Sequence, residues 1–164
     1  MPLSGIGKQT CSVARTVSLI GDPWTLMLLR ELFLGSRRFD EFQAYTEASP
    51  HLLSVRLREL VESEIVEMRA YQERPLRHEY HLTEKGIALW PVITALREWG
   101  DRWNRLPGPP PVRITHRDCG GVTQMKHECK ACGEAVDPRA VNVAFSREAR
   151  GERQARAPTR KRSR

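Results

Sequence analysis

The chain has 164 residues and 40% hydrophobic content, with all four Trp between Trp24 and Trp103, so one full domain with a core in about the first hundred residues and an appendage behind it are expected. Its most apolar stretch, residues 11–34, is interrupted by Arg15, Asp22, Arg30 and Glu31, which argues against a membrane span, and no basic-then-apolar leader opens the chain, so a cytoplasmic protein is expected. The formal charge of +7 is concentrated in residues 147–164, where eight Arg or Lys against two Glu give +6, so basicity here describes a polyanion-attracting tail, read as disordered, more than a basic domain.

Residues 1–10 lack periodicity and read as an arm. Over 11–20, Val13, Val17 and Ile20 recur at helical spacing with Arg15 off that face, and Gly21 ends the helix. Asp22-Pro23 then supplies an N-cap and a first-turn proline for a second helix over 23–34, apolar on most sides and therefore expected at the centre of the core, with Gly35 closing it. Phe39, Phe42 and Tyr45 mark a short third helix. Ser49-Pro50 repeats the cap-plus-proline signal and opens a fourth helix to about residue 63, with Leu53, Leu57, Leu60 and Val61 inward and His51, Ser54, Val55, Arg58 and Glu62 outward. Arg56 lies toward the core flank, within reach of an internal ion pair. Two strand-like runs, 65–71 and 77–82, flank a five-residue basic, proline-containing tip, 72–76, and read as a hairpin with His78, Tyr80 and Leu82 on one face. Thr83 caps a long helix to about residue 104 that carries Ile87, Leu89, Trp90, Ile93, Leu96, Trp99 and Trp103, more apolar surface than one small core requires.

This reading divides the chain into an arm (1–10), a main domain (11–106), a Pro-rich linker (107–111), a Cys-rich unit (112–146) and the basic tail (147–164), with no internal repeat. The fold class is mainly α with a small β-hairpin, a winged helix-turn-helix followed by a zinc-ribbon-like appendage. In such a fold the fourth helix presents its polar stripe to the major groove, where base edges offer distinct donor and acceptor patterns. His51 and Ser54 are short hydrogen-bonding groups at its leading end, Val55 suits a thymine methyl, and Arg58 reaches guanine or a phosphate. Arg74 and Arg77 in the hairpin suit phosphates or an adjacent minor groove. Taken alone, a basic amphipathic helix is equally a solvated surface.

The ordered motifs add a resemblance. Cys11-Ser12-Val13-Ala14-Arg15-Thr16 with Ile20-Gly21-Asp22-Pro23-Trp24-Thr25-Leu26, then Arg38-Phe39-Asp40-Glu41-Phe42, Leu57-Arg58-Glu59-Leu60, Tyr80-His81-Leu82-Thr83-Glu84-Lys85-Gly86 and Trp99-Gly100-Asp101-Arg102-Trp103, resemble HxlR-type transcription regulators over about residues 11–104. The resemblance implies a homodimeric winged helix that binds double-stranded DNA at paired half-sites, as a repressor, with a small-molecule or redox effector, and without enzymatic activity. Glu64 stands where the family commonly has Gly, and the segment after Pro111 lies outside the family's core domain.

The four cysteines are Cys11, Cys119, Cys129 and Cys132. His116-x2-Cys119 and Cys129-x2-Cys132 are half-sites with metal-ligand spacing, each followed by Gly (Gly120, Gly133), and four such donors suit a structural tetrahedral zinc in a unit too small to fold on its own apolar surface. His127 is an alternative to His116, and a redox pair or plain reduced thiols are alternatives to metal. Cys11 opens the first helix near Arg15, at a position that some HxlR-type proteins use to sense oxidants, and it reads either as that candidate sensor or as a small buried side chain. Two rival functions stay open: a thiol-disulfide oxidoreductase using Cys129 and Cys132, and an RNA-associated zinc-ribbon protein favoured by the Arg-rich tail. No phosphate-binding loop, carboxylate pair or nucleophile with a base is present.

Overall fold

The computed structural model describes residues 5–105 and 107–157; the first four residues of the arm and the last part of the basic tail, 158–164, lie outside them. The order is α1 (Ser12–Ile20), α2 (Pro23–Leu34), α3 (Phe39–Thr46), α4 (Pro50–Glu62), β1 (Val66–Glu73), β2 (Leu76–Leu82), α5 (Glu84–Ile87), α6 (Trp90–Trp103) and α7 (Arg147–Ala155), with single 3-10 turns at Ile6–Lys8 and Pro138–Ala140. Among the described residues no helix is long and apolar enough to cross a membrane.

The chain forms two compact units, Pro23–Val136 on one side, and Met1–Asp22 with Asp137–Arg164 on the other. This division differs from the one expected from the sequence. The Pro107–Pro111 stretch does not separate two cores: Pro109, Pro110 and Pro111 line a shallow pocket with Arg97, Gly100 and Asp101 of α6. In the smaller unit, the first half of the tail is helical where disorder is expected. Ser146 caps α7 by accepting from the Ala149 amide, Glu148 complements the first turn, and the Thr10 amide donates to the Glu152 carboxylate at 2.9 Å.

In the larger unit α2 is central. Leu28, Leu29 and Leu32 from α2, Phe42 from α3, Leu53, Leu57 and Leu60 from α4, and Ile65 and Val66 entering β1 are all essentially inaccessible to solvent. Burying each such side chain contributes on the order of 1.5–3 kcal/mol. The hairpin runs from Val66 opposite Leu82 to Glu73 opposite Leu76, with an irregularity between Ala70 and Gln72. Because pairing resumes beyond that irregularity, the tip is only Arg74-Pro75 and not the five residues expected. The Tyr80 amide donates to the Arg37 carbonyl at 2.8 Å, so the loop before α3 is bonded to β2 of the hairpin.

The expected single helix from Thr83 is interrupted. Pro91 has no amide to donate to the Ile87 carbonyl, and α5 ends there while α6 starts afresh at Trp90. Trp90 is consequently half-buried and stacks tilted on Phe33, ring centroids 5.2 Å apart, so it belongs to the core rather than to a free surface.

Two helices end in the same hydrogen-bonding device. After α2, Gly35 (φ 108) is followed by Ser36, whose amide donates to the Glu31 carbonyl. After α4, the Glu64 amide donates to the Val61 carbonyl and the Ile65 amide to Leu60, with Glu64 at φ 57. That left-handed position favours Gly, the residue that the resemblance to HxlR-type regulators leads one to expect where this chain has Glu64. The turn is then clamped from β2–α5. The Thr83 amide donates to the Ile65 carbonyl at 3.1 Å, its hydroxyl to the Glu64 carbonyl at 2.7 Å, and Lys85 Nζ to the Ser63 carbonyl at 2.6 Å. A Cβ added to buried Gly86 would stand 2.2 Å from the Ile65 carbonyl oxygen.

Opposite effects are therefore expected at two neighbouring positions. Glu64→Gly should raise stability by about 0.5–1 kcal/mol, the left-handed penalty removed less the entropy of glycine. Gly86→Ala should lower it by roughly 1–3 kcal/mol through the backbone clash. Urea denaturation of the two variants checks both signs.

Candidate nucleic-acid interface

The interface is built on α4. Ser49 caps it, its Oγ accepting from the Leu52 amide at 3.3 Å, and Pro50 occupies the first turn. With Leu53, Leu57 and Leu60 buried on one side, His51, Ser54 and Arg58 are left exposed along the other. Val55 is half-buried at the edge of that stripe. Arg56 is also half-buried and pairs with Glu59 at 2.6 Å, one turn along the helix. The leading end thus offers a capped helix N-terminus with its partial positive charge and short polar groups, and the next turns offer one long cation.

The hairpin places Arg74 in its exposed two-residue tip, where the Arg74 carbonyl accepts from Gln72 Nε2 at 3.0 Å, and Arg77 exposed on β2 opposite Gln72. Its base is braced by contacts that no local sequence pattern signals. Arg38 Nε donates to Glu79 at 3.2 Å and its guanidinium lies 4.6 Å from the centre of the Tyr71 ring. Phe42 meets Tyr80 edge-on at 6.0 Å. Glu41 receives the Arg37 and Arg38 amides at 2.8 and 2.9 Å, and these two bonds hold its carboxyl below the ordinary carboxylate value of 4.5. The contacts of Arg38 and Phe42 with the hairpin join residues about forty positions apart, which is why sequence reasoning missed Arg38, Glu41 and Glu79 as supports of the wing.

The Cys-rich segment brings its donors together in pairs. His116 Nδ1 stands 3.4 Å from Cys119 Sγ. Cys129 is held by the Cys132 and Ala131 amides and the Cys132 thiol, which lower its thiol below the ordinary value. Among the described residues, no three His, Cys, Asp or Glu side chains gather as one metal-holding group. His127 is exposed. Cys11, in the other unit, is exposed and not buried, at the N-cap of α1, and Arg15 is directed to the Thr10 carbonyl and Ser12 hydroxyl rather than to the thiol.

This arrangement of capped helix, buried leucine face and braced hairpin has known counterparts. The profile of the HxlR-like helix-turn-helix family matches residues 19–106. The chain belongs to the HxlR-like family. An HTH-type transcriptional regulator of Mycobacterium tuberculosis is 40% identical over 130 residues, covering 79% of this chain and 82% of that one, and YdeP, an HTH-type transcriptional regulator of Bacillus subtilis, is 36% identical over 96 residues, 58% of this chain and 75% of its own. Among solved structures, PA1607, a candidate transcription factor, superposes with a TM-score of 0.78 at 31% identity over 87% of this chain and 99% of its own. The redox regulator HypR in its oxidised form gives 0.53 at 35% identity over 56% of this chain and 95% of its own. This HxlR-like protein is a DNA-binding transcriptional regulator. The mycobacterial alignment is longer than the family segment, so similarity extends into flanking sequence outside 19–106.

The Glu41 contacts set a pH dependence for this regulator. A carboxyl whose folded value is depressed adds stability above its unfolded value and loses it as pH falls through the folded one. Glu41→Gln should therefore be less stable than the parent at neutral pH, and the difference should shrink as pH falls below the ordinary value of 4.5 and vanish only below the depressed folded one. Thermal melts of both proteins across that range measure the effect.

Proposed function

We propose that this regulator binds paired DNA half-sites as a homodimer, each copy laying α4 in a major groove with the hairpin on the flanking backbone. The carrying observation is the division of α4 into a buried leucine face and an exposed stripe of His51, Ser54 and Arg58 that starts at a capped N-terminus. In this reading Arg58 contacts a base edge, His51 and Ser54 take hydrogen bonds at the groove, Val55 meets a methyl group, and Arg74 and Arg77 neutralise phosphates. Arg58→Ala should then cost about 1–3 kcal/mol on the preferred sequence and relax its base preference. Arg74→Ala and Arg77→Ala should weaken all duplexes alike and flatten the salt dependence. Selection of bound sequences from random duplex DNA, followed by titration of each variant on the selected and a scrambled duplex, measures this. Equal loss on both duplexes for Arg58→Ala would remove it from base reading.

The support for a dimer comes from α6. Val92, Leu96, Trp99 and Trp103 recur at intervals of four, three and four residues, the spacing of a helix-pairing seam, and Trp99 and Trp103 are 63% and 66% exposed. α1, in the smaller unit, likewise exposes Val13, Val17 and Leu19. Self-complementary apolar faces of this kind fit a two-fold pair, which also sets the spacing of two recognition helices. Trp99→Glu should convert a dimer at micromolar concentration to a monomer in sedimentation velocity and weaken operator binding. A wild-type monomer that still binds the paired site tightly would contradict this assembly.

A further inference from the structure

The Cys-rich segment contains a repeat of which the residue identities keep only Cys-Gly, at Cys119-Gly120 and Cys132-Gly133. Thr115 bridges to Val122 antiparallel, and Glu128 bridges to Ala135 in the same way, every member thirteen positions on. Between them the His116 amide donates to the Gly121 carbonyl and the Gly120 amide to the His116 carbonyl, both at 2.8 Å. Thirteen positions later the Cys129 amide donates to the Glu134 carbonyl and the Gly133 amide to the Cys129 carbonyl, again at 2.8 Å. Outside each turn a further bond repeats, from the Thr123 amide to the Ile114 carbonyl and from the Val136 amide to the His127 carbonyl. Gly120 and Gly133 hold the same left-handed position, φ 67 and 74. The sequence expectation of no internal repeat is thus corrected: one knuckle occurs twice, and only its backbone and its donor positions are kept.

The thirteen-residue offset of these bonds sorts the donors. His116 takes the place of Cys129, and Cys119 that of Cys132. His127 corresponds to Ile114, outside the turn, and its carbonyl is spent in the ladder. Within the first knuckle the two donor atoms stand 3.4 Å apart. Two ligands of one tetrahedral ion at about 2.1 Å (nitrogen) and 2.3 Å (sulfur) would be separated by about 3.6 Å. The apolar alternative for holding the knuckles together is missing, because no described residue after Thr94 is buried. A segment with two preformed half-sites and no core is the kind of unit that a metal folds.

We propose that the two knuckles close on a single zinc ion held by His116 Nδ1 and the thiolates of Cys119, Cys129 and Cys132. The ion is structural, since four protein donors leave no open position. The donors stand as two pairs and not as one cluster, so binding draws the knuckles together. The loop between them is already tied to α6, the Met125 amide donating to the Glu98 carboxylate at 3.2 and 3.3 Å, and closure orders this loop against the helix that carries Trp99.

The test uses the full chain, measuring metal content as purified and then titrating the metal-free protein with cobalt(II), whose visible and near-ultraviolet bands count thiolates in a tetrahedral site. One ion per chain with a three-thiolate spectrum is expected, lost in Cys119→Ser and Cys132→Ser and retained in Cys11→Ser and His127→Ala. His116→Cys should keep one ion and gain the charge-transfer intensity of a fourth thiolate, which a merely misfolded variant would not do. A protein that takes up no cobalt, that keeps its ion without Cys119 or Cys132, or that loses it in His127→Ala while His116→Ala retains it, overturns the proposal. DNA binding by the same preparations is scored separately, so failure here leaves the reading of α4 untouched.

Discussion

The carbonyl oxygen of Ile65 is the point at which α4, the hairpin and α5 are tied to one another. It accepts from the Thr83 backbone amide and from the Thr83 hydroxyl, at 3.1 and 3.2 Å, and Gly86 leaves the space in which that approach occurs. Five residues earlier in the chain is Leu60, the last buried leucine of α4, and the next residue, Val66, starts β1. The direction in which α4 leaves the core and the direction in which the hairpin projects are therefore set by one turn. Bonds from the Thr83 hydroxyl and from Lys85 hold that turn in a backbone conformation that Glu64 does not favour on its own.

Function on this frame rests on a separation of tasks among rigid elements. α4 needs one face buried so that the other is presented without conformational searching, and its three leucines against α2 provide this. The hairpin is fixed from a different direction, through Arg38, Glu79 and Tyr71 at its base and through the Tyr80 bond to Arg37, so Arg74 and Arg77 project from a braced platform. α6 contributes little to this core beyond Trp90 and buried Thr94, and its apolar residues are left for another surface to cover. The exposed polar stripe of α4, the braces of the hairpin and the exposed apolar residues of α6 thus draw on different side chains.

The segment beyond the winged helix obeys a different physics. Its order comes from two hydrogen-bonded turns instead of from burial, and a turn of this type is specified by backbone geometry at a few positions. Glycine is favoured at 120 and 133 by their positive φ, while most of the residues around them are free to change. Two copies can diverge to His116-Arg117-Asp118-Cys119 and Cys129-Lys130-Ala131-Cys132 without loss of the fold of either. In residue identity the two turns keep only Cys119-Gly120 and Cys132-Gly133.

Much of the main domain was legible in the sequence because it rests on local rules. Helical spacing placed α1, α2 and α4, Ser49-Pro50 placed the start of α4, Gly35 the end of α2, and alternation placed the hairpin; the inward leucines of α4 and its outward His51, Ser54 and Arg58 came from the same periodicity. The winged-helix order and the family resemblance came from those elements together. Features that only the tertiary structure decided depend on bonds between distant segments or on backbone angles that side chains do not announce. The break before α6 was available in Pro91, but the weight of apolar residues on both sides concealed it. The two-residue hairpin tip depended on pairing that resumes past Tyr71, the wing brace on Arg38 meeting Glu79, and the helical start of the tail on Ser146 capping and on Glu152 receiving Thr10. The doubled knuckle lies between the two cases: Cys119-Gly120 and Cys132-Gly133 recur in the sequence thirteen positions apart, but the matching hydrogen bonds and φ angles belong to the folded backbone alone.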